Sequence, residues 1–212
     1  MNEVLKRIRE VGIAPVAALP AADDAVPMAR ALLDGGLSVA EVTFRTSAAA
    51  EGIARMKGAF PEMLVGAGTV LTVGQVDAAL DAGAEFIVSP GFEPTVVDYC
   101  LDRGVPVLPG FATASELTQI VLRKLPAAKF FPAESMGGLK MLKGLAAPFP
   151  PMEFMVTGGL SLANMGAYLA WDRVLAVGGS WMVEKNLVAA GAFNEIAALA
   201  EEAVREARNY RE

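Results

Sequence analysis

Short apolar runs alternate with amphipathic stretches along almost the whole chain, and this alternation constrains the fold more than any other feature. Each run is four to eight residues long and rich in aliphatic side chains, which is typical of a buried strand. Eight runs are candidate strands: residues 13–19, 37–44, 63–67, 85–88, 105–108, 127–131, 153–157 and 174–177.

Helical periodicity fills the gaps between these runs, most clearly over residues 25–34, 73–82, 115–124 and 196–207. Glycines follow several of the helical stretches, where a left-handed cap favours them. Eight strands alternating with helices predict a parallel (β/α)8 TIM barrel, with an extra N-terminal helix over residues 1–10. We expect a single barrel domain over residues 1–212. An open, flavodoxin-like sheet is the alternative, although it usually needs fewer strands.

The composition suits one large core and disfavours several classes of partner. Of the 212 residues, 54% are hydrophobic, yet no stretch approaches the ~18–20 uninterrupted apolar residues of a membrane span. The charged N-terminus predicts a helix rather than a signal peptide. A net charge of −6 disfavours nucleic acids and anionic membranes as partners.

Cysteine and histidine usage narrows the compartment and the chemistry. Cys100 is the only cysteine, so no intrachain disulfide can form, which fits a cytoplasmic protein. The chain contains no histidine, and this excludes Ser-His-Asp and Cys-His mechanisms as well as histidine-ligated metals. Proton transfer must therefore fall to carboxylates, lysine, tyrosine or water.

Lys129 is a charged residue inside the otherwise apolar strand candidate at 127–131. Because desolvating an unpaired ammonium costs several kcal/mol, this lysine must be neutralised, paired or used in a reaction. Side chains alternate between the faces of a strand, and the outer face of a barrel packs under helices. That parity points Glu41, Thr43 and Arg45 of the second strand inward. Lys129 points inward as well, so we expect Glu41, Arg45 and Lys129 to converge on one lumen.

Two interpretations of these inward charges remain open. The first is a buried ion network that closes the barrel core. The second is a reaction in which Lys129 forms a Schiff base with a carbonyl, Glu41 moves protons and Arg45 grips a substrate carboxylate. The second interpretation indicates carbon–carbon cleavage of a 2-keto acid, unless a salt bridge with Glu41 keeps the lysine protonated.

Glycine pairs follow the last two predicted strands, at Thr157-Gly158-Gly159 and Gly178-Gly179-Ser180. In many barrels, backbone N–H groups at these two strand ends bind phosphate. Either pair alone could be a tight turn, but together they predict a phosphate site. Neither is a Walker loop or a dinucleotide fingerprint, so no nucleotide is implied.

Six motifs in order give the chain a family resemblance. They are EVTFRT at 41–46, VGAGTV at 65–70, VSPG at 88–91, KFFPAE at 129–134, TGG at 157–159 and VGGSW at 177–181. With them the chain resembles the class I 2-keto-3-deoxy-6-phosphogluconate (KDPG) / 4-hydroxy-2-oxoglutarate (KHG) aldolases.

The resemblance implies a role for each matched residue. Lys129 would be the Schiff-base nucleophile, and Glu41 the general acid and base, working through water. The implied substrate-binding residues are Arg45 and Thr69 for the pyruvate carboxylate, Pro90 and Phe131 for the pocket wall, Thr157 for the aldehyde portion, and Gly158, Gly159, Gly179 and Ser180 for the phosphate. The family also implies a homotrimer without metal or other cofactor, acting on a small keto-acid phosphate.

Two alternatives to the aldolase are considered. A trimeric barrel scaffold adapted for higher-order assembly would explain the methionine-rich later segments, although the catalytic set is intact. A different phosphate-binding barrel that catalyses isomerisation is disfavoured by the lysine in the sixth strand.

Overall fold

An N-terminal helix precedes the barrel in the computed structural model, which describes residues 2–211. This helix, α1, spans Glu3–Val11, and its Asn2 cap accepts a hydrogen bond from the N–H of Leu5 at 2.9 Å. Met1, the first residue of the helix expected over residues 1–10, lies outside the described residues. Leu5 and Ile8 are buried among side chains of the barrel lumen, so α1 closes one end of the barrel.

The strands form one parallel sheet in the order β5-β4-β3-β2-β1-β9-β8-β7-β6. Their bounds are β1 Ile13–Ala17, β2 Val39–Thr43, β3 Leu64–Gly68, β4 Phe86–Val88, β5 Val107–Leu108, β6 Gly110–Phe111, β7 Ala127–Phe130, β8 Glu153–Thr157 and β9 Val174–Gly179. The two ends of the sheet, β5 and β6, are consecutive pieces of chain on either side of Pro109. The sheet therefore curves round into a barrel, which confirms the predicted architecture and excludes the open sheet.

The predicted fifth strand is the one that differs most from expectation. Proline has no N–H to donate to a ladder, so Pro109 interrupts the strand and divides it into β5 and β6. The Pro109 carbonyl still accepts a hydrogen bond from the N–H of Lys129 at 2.9 Å. As a result the eight predicted strands are nine segments in the structure, and residues 110–111 belong to the barrel.

Helices cover the outside of this barrel. Their bounds are α2 Ala25–Asp34, α3 Ala49–Ala59, α4 Val73–Asp81, α5 Pro94–Asp102, α6 Ala114–Leu122, α7 Gly138–Ala146, α8 Leu162–Leu169, α9 Lys185–Ala189 and α10 Phe193–Arg208. The prediction for residues 25–34 matches α2, and the other predicted helices differ from the structure by one to three residues at one or both ends. Within residues 2–211, no helix is both long enough and apolar enough to span a bilayer.

Two apolar layers sandwich the strands, as strand parity predicts. The outer layer, between strands and helices, includes Ala40, Val42, Ala128 and Phe130. The inner layer fills the end of the lumen next to α1, and its strand residues are Ala14, Val39, Leu64, Phe86, Val88, Leu108, Ala127, Met155, Leu175 and Ala176. Because apolar side chains occupy that end, the polar inward residues collect at the opposite end, where the strands terminate.

Lys124 has a backbone conformation that glycine adopts at the same position of two preceding helix caps. After α4 and α5, Gly83 and Gly104 have φ of 93° and 66°, and each belongs to the same two-hydrogen-bond cap. The cap of α6 repeats this pattern, with Leu125 N–H donating to Ile120 O, but Lys124 is at the left-handed position with φ 57°. A Cβ is disfavoured in that conformation, so this cap is strained.

Lys124→Gly should therefore raise the free energy of unfolding, by about 0.5–1 kcal/mol after allowing for the greater freedom of glycine in the unfolded chain. Urea unfolding would measure it. The matched control is Gly104→Ala, where an added Cβ meets no atom within 4 Å. That variant should lose about 1 kcal/mol from backbone strain alone. A Lys124→Gly variant less stable than the parent would contradict the prediction.

Candidate active site

A cavity of about 370 Å³ opens at the carboxyl ends of the strands. All eleven residues predicted as catalytic or substrate-binding line it: Glu41, Arg45, Thr69, Pro90, Phe131, Lys129, Thr157, Gly158, Gly159, Gly179 and Ser180. Four further lining residues did not appear in that set: Val16, Thr43, Leu160 and Gly178. The parity argument applied to β1 would have identified Val16, because this residue points inward as the polar residues of β2 do.

Lys129 projects from β7 into the cavity floor and is only 5% exposed. Its Nζ donates to the Glu41 carboxylate, at 3.1 Å from Oε1 and 3.4 Å from Oε2. The ring of Phe131 lies beside it, with 5.5 Å between Nζ and the ring centroid. The amine is thus buried, oriented and next to a group that can exchange a proton with it.

Glu41 comes from β2 and is completely buried. Within residues 2–211, Lys129 is the one side chain that hydrogen-bonds its carboxylate. Gly68, its neighbour at the end of β3, leaves the space that the carboxylate occupies, since a Cβ there would clash with Oε1. The motif at 65–70 contains this glycine, but its purpose becomes visible only when β2 and β3 are placed side by side.

Arg45 follows β2 at the rim of the cavity and is held by a short relay. Its Nε donates to the Thr43 hydroxyl at 3.1 Å, and that hydroxyl donates to the carbonyl of Ala17 at 2.9 Å. Because Nε is used in this way, the relay sets the plane of the guanidinium. Thr43 was predicted to face inward, and its function as a support for Arg45 is an addition from the structure.

Thr69 and Thr157 present two further polar groups. Thr69 has φ 56°, which is uncommon for a β-branched residue and typical of strained backbone at functional sites. The Thr157 hydroxyl is buried with no hydrogen-bond partner among residues 2–211, and it lies against Gly178 of the adjacent strand β9. A buried hydroxyl without a partner is costly unless a ligand completes its hydrogen bonding.

The glycine pairs that follow β8 and end β9 form a further part of the cavity wall. Gly158 and Gly159 have φ of 105° and 79°, a backbone conformation in which other residues are strained. Gly179 is covered by the indole of Trp181, which would clash with any Cβ at that position. The segment predicted to bind phosphate therefore consists of glycine backbone next to Ser180.

Comparison with known proteins gives one consistent family. The family model described as KDPG and KHG aldolase matches residues 4–199. A 2-dehydro-3-deoxy-phosphogluconate aldolase of Treponema pallidum is 48% identical over 203 residues, covering 96% of this chain and 95% of the relative. A KHG/KDPG aldolase of Escherichia coli K12 is 42% identical over 196 residues, covering 92% of each chain.

A solved structure agrees with these sequence relatives. It is the KDPG aldolase from Legionella pneumophila, with pyruvate captured at low pH as a covalent carbinolamine intermediate. It superposes with a TM-score of 0.90 at 35% identity, covering 94% of this chain and 97% of that one. With its barrel, its buried lysine–glutamate pair and these relatives, the chain belongs to the KDPG and KHG aldolase family.

Proposed function

We propose that this protein is a class I aldolase that cleaves 2-keto-3-deoxy-6-phosphogluconate into pyruvate and glyceraldehyde 3-phosphate. The observation that carries the proposal is the contact between the buried Lys129 amine and the Glu41 carboxylate at the floor of the cavity. A relative trapped as a covalent pyruvate carbinolamine supports the same chemistry. The reaction breaks a carbon–carbon bond, so the enzyme is a lyase.

The first half of the reaction loads the substrate onto the lysine. Glu41 accepts a proton from Lys129, 3.1 Å away, which leaves a neutral amine. The amine adds to the C2 carbonyl and gives a carbinolamine, and Glu41 returns its proton to the leaving hydroxyl, so that water departs, an iminium remains and the carboxylate is restored. Glu41, acting through water, then removes the proton of the C4 hydroxyl. The C3–C4 bond breaks, its electron pair passes into the iminium as an enamine, and the aldehyde leaves.

The second half releases pyruvate. Glu41 returns a proton to C3 of the enamine, and water hydrolyses the resulting iminium to pyruvate and the free amine. One carboxylate thus acts as base and then as acid. The proton transfers, which histidine cannot perform in this chain, are carried out by Glu41 and water. The steps draw on no metal or other cofactor.

The rest of the cavity would hold the substrate along its length. Arg45 and Thr69 would bind the carboxylate, while Pro90 and Phe131 contact the pyruvyl carbons. Thr157, with its unpartnered hydroxyl, would bind the hydroxyl groups of the aldehyde portion. Gly158, Gly159, Gly179 and Ser180 would receive the phosphate. KHG, which lacks a phosphate, would use the Lys129 end of the site and give pyruvate and glyoxylate.

Pyruvate trapping tests the proposal. The protein is incubated with pyruvate, reduced with borohydride and digested, and the peptides are weighed by mass spectrometry. We expect one reduced pyruvate adduct on Lys129 and none on the exposed α7 lysines, Lys140 and Lys143. Absence of an adduct, or an adduct on either α7 lysine in its place, would overturn the assignment and revive the interpretation of a buried ion network.

The homotrimer implied by the family resemblance stays a prediction. So do the larger assembly, the single domain over residues 1–212 and the cytoplasmic location, which were inferred from the sequence itself. Light scattering at several concentrations distinguishes a trimer from larger particles. Larger particles would favour the alternative of a trimeric barrel scaffold adapted for higher-order assembly.

A further inference from the structure

Hydrogen bonds hold two consecutive carbonyl groups in the loop after β8. Gly158 O accepts a hydrogen bond from the N–H of Glu134 at 3.0 Å, and Gly159 O accepts one from the Asn164 side-chain amide at 3.0 Å. Across a trans peptide the C=O and the next N–H point in opposite directions. Holding these two carbonyls therefore sets the directions of the Gly159 and Leu160 N–H groups.

Those two N–H groups are free to bind a ligand. Neither donates to an acceptor within residues 2–211, and both residues line the cavity. Two neighbouring N–H groups of fixed direction form a concave site for an anion. The orientation of this site depends on whatever holds the carbonyls in place.

Asn164, in the first turn of α8, hydrogen-bonds the loop directly. Its Oδ1 accepts a hydrogen bond from the Ser161 N–H at 2.9 Å while its Nδ2 donates to Gly159 O. One side chain thus bridges both ends of the Gly159–Ser161 segment. Neither bond involves the cavity directly, so the residue acts only through the loop.

Tyr168, one helical turn further along α8, supports the loop indirectly, through Glu134. It is 3% exposed, and its hydroxyl donates to the Glu134 carboxylate. The Glu134 side chain lies against Gly159, since a Cβ on that glycine would be 2.7 Å from Glu134 Cβ. The tyrosine thereby fixes the residue whose N–H binds Gly158 O. Burial, together with the Glu134 carboxylate, raises the pKa of Tyr168 above its ordinary value, so the hydroxyl remains a donor at neutral pH.

We propose that Asn164 and Tyr168 are positioning residues that set the preference for phosphorylated substrate, by aiming the Gly159 and Leu160 N–H groups at the phosphate. The inference rests on the proposed aldolase function and adds the source of its selectivity. KHG has no phosphate to bind at these N–H groups, so its turnover depends on the groups at the Lys129 end of the site.

The test compares two substrates in two variants, Asn164→Ala and Tyr168→Phe. We expect kcat/KM for KDPG to fall about tenfold or more in each, chiefly through KM, which corresponds to the loss of one orienting hydrogen bond. For KHG it should stay within about twofold. Inorganic phosphate should compete with KDPG in the parent enzyme, and its inhibition constant should rise about tenfold in both variants.

Two matched control variants remove hydrogen bonds of the same kinds at positions away from the loop. Asn209→Ala removes an amide that donates to Glu206, and Tyr99→Phe removes a hydroxyl that donates to Asp77. Both should leave the ratio of the two kcat/KM values unchanged. Tyr168→Phe keeps the buried ring, so it remains informative if Asn164→Ala fails to fold.

The outcomes separate this inference from the proposed function. If the parent prefers KDPG and phosphate competes, but neither variant changes the ratio, the positioning role is wrong and the aldolase stands. An equal loss for both substrates would indicate a merely structural role and would also overturn the inference. If no pyruvate adduct forms on Lys129 in the parent enzyme, the proposed function is wrong, whatever the two variants show.

Discussion

Replacing Lys129 with methionine should abolish turnover, lowering kcat for KDPG cleavage by about 10⁵-fold or more, the scale expected when a covalent nucleophile is lost. Methionine has a similar length but cannot form an iminium, so the electron pair of the breaking bond has no acceptor. A coupled assay for released pyruvate measures the rate. The same variant should give no adduct after pyruvate and borohydride treatment.

The matched controls are Lys140→Met and Lys143→Met, which make the same chemical change on the exposed side of α7. Both should keep near-parental turnover. If Lys129→Met retained a rate within about tenfold of the parent, the iminium mechanism would be wrong, because loss of the covalent nucleophile should lower the rate far more than that.

The stability of the Lys129→Met protein is the second large effect. Glu41 is fully buried, and within the described residues its carboxylate has Lys129 as its hydrogen-bonding side chain. Removing that partner leaves an uncompensated buried charge, which typically costs about 3–5 kcal/mol. We therefore expect a marked fall in the free energy of unfolding at pH 7, measured by urea titration.

A double variant separates the charge from the packing. Lys129→Met with Glu41→Leu removes both charges and leaves apolar side chains of similar size. It should recover most of the lost stability, since replacing a buried ion pair by apolar groups is often neutral or stabilising. Glu41→Leu alone should be destabilised, because the Lys129 ammonium, 5% exposed, then lacks its partner. Additive losses in the double variant would show that the two charges do not interact.

Much of the barrel and its site could be predicted from local patterns. Alternation of side chains along a strand is a property of the extended backbone, so the inward direction of Glu41 and Lys129 followed from their neighbours in sequence. Helix ends were marked by glycines such as Gly83 and Gly104, which adopt the expected left-handed conformation. These features depend on residues within a few positions of one another.

Other features could not be predicted because they join distant segments. The space that Gly68 leaves for Glu41 exists only when two strands lie side by side. The support of Arg45 by Thr43 ends on the carbonyl of Ala17, which belongs to a different strand. That residues 110–111 join the barrel beyond Pro109 also depends on how the barrel closes, because Gly110 and Phe111 pair with Lys129 and Phe130 of β7.

The sequence by itself determined the strand and helix alternation, the inward charges and, through its motifs, the family. Each of these follows from chain-local periodicity or from residue identity in a short segment. Only the tertiary structure decided that the Lys129 amine meets the Glu41 carboxylate at 3.1 Å and that the Tyr168 hydroxyl meets the Glu134 carboxylate beside the loop after β8. The physical reason is that hydrogen bonds act over about 3 Å, and only packing brings residues so far apart in sequence within that distance.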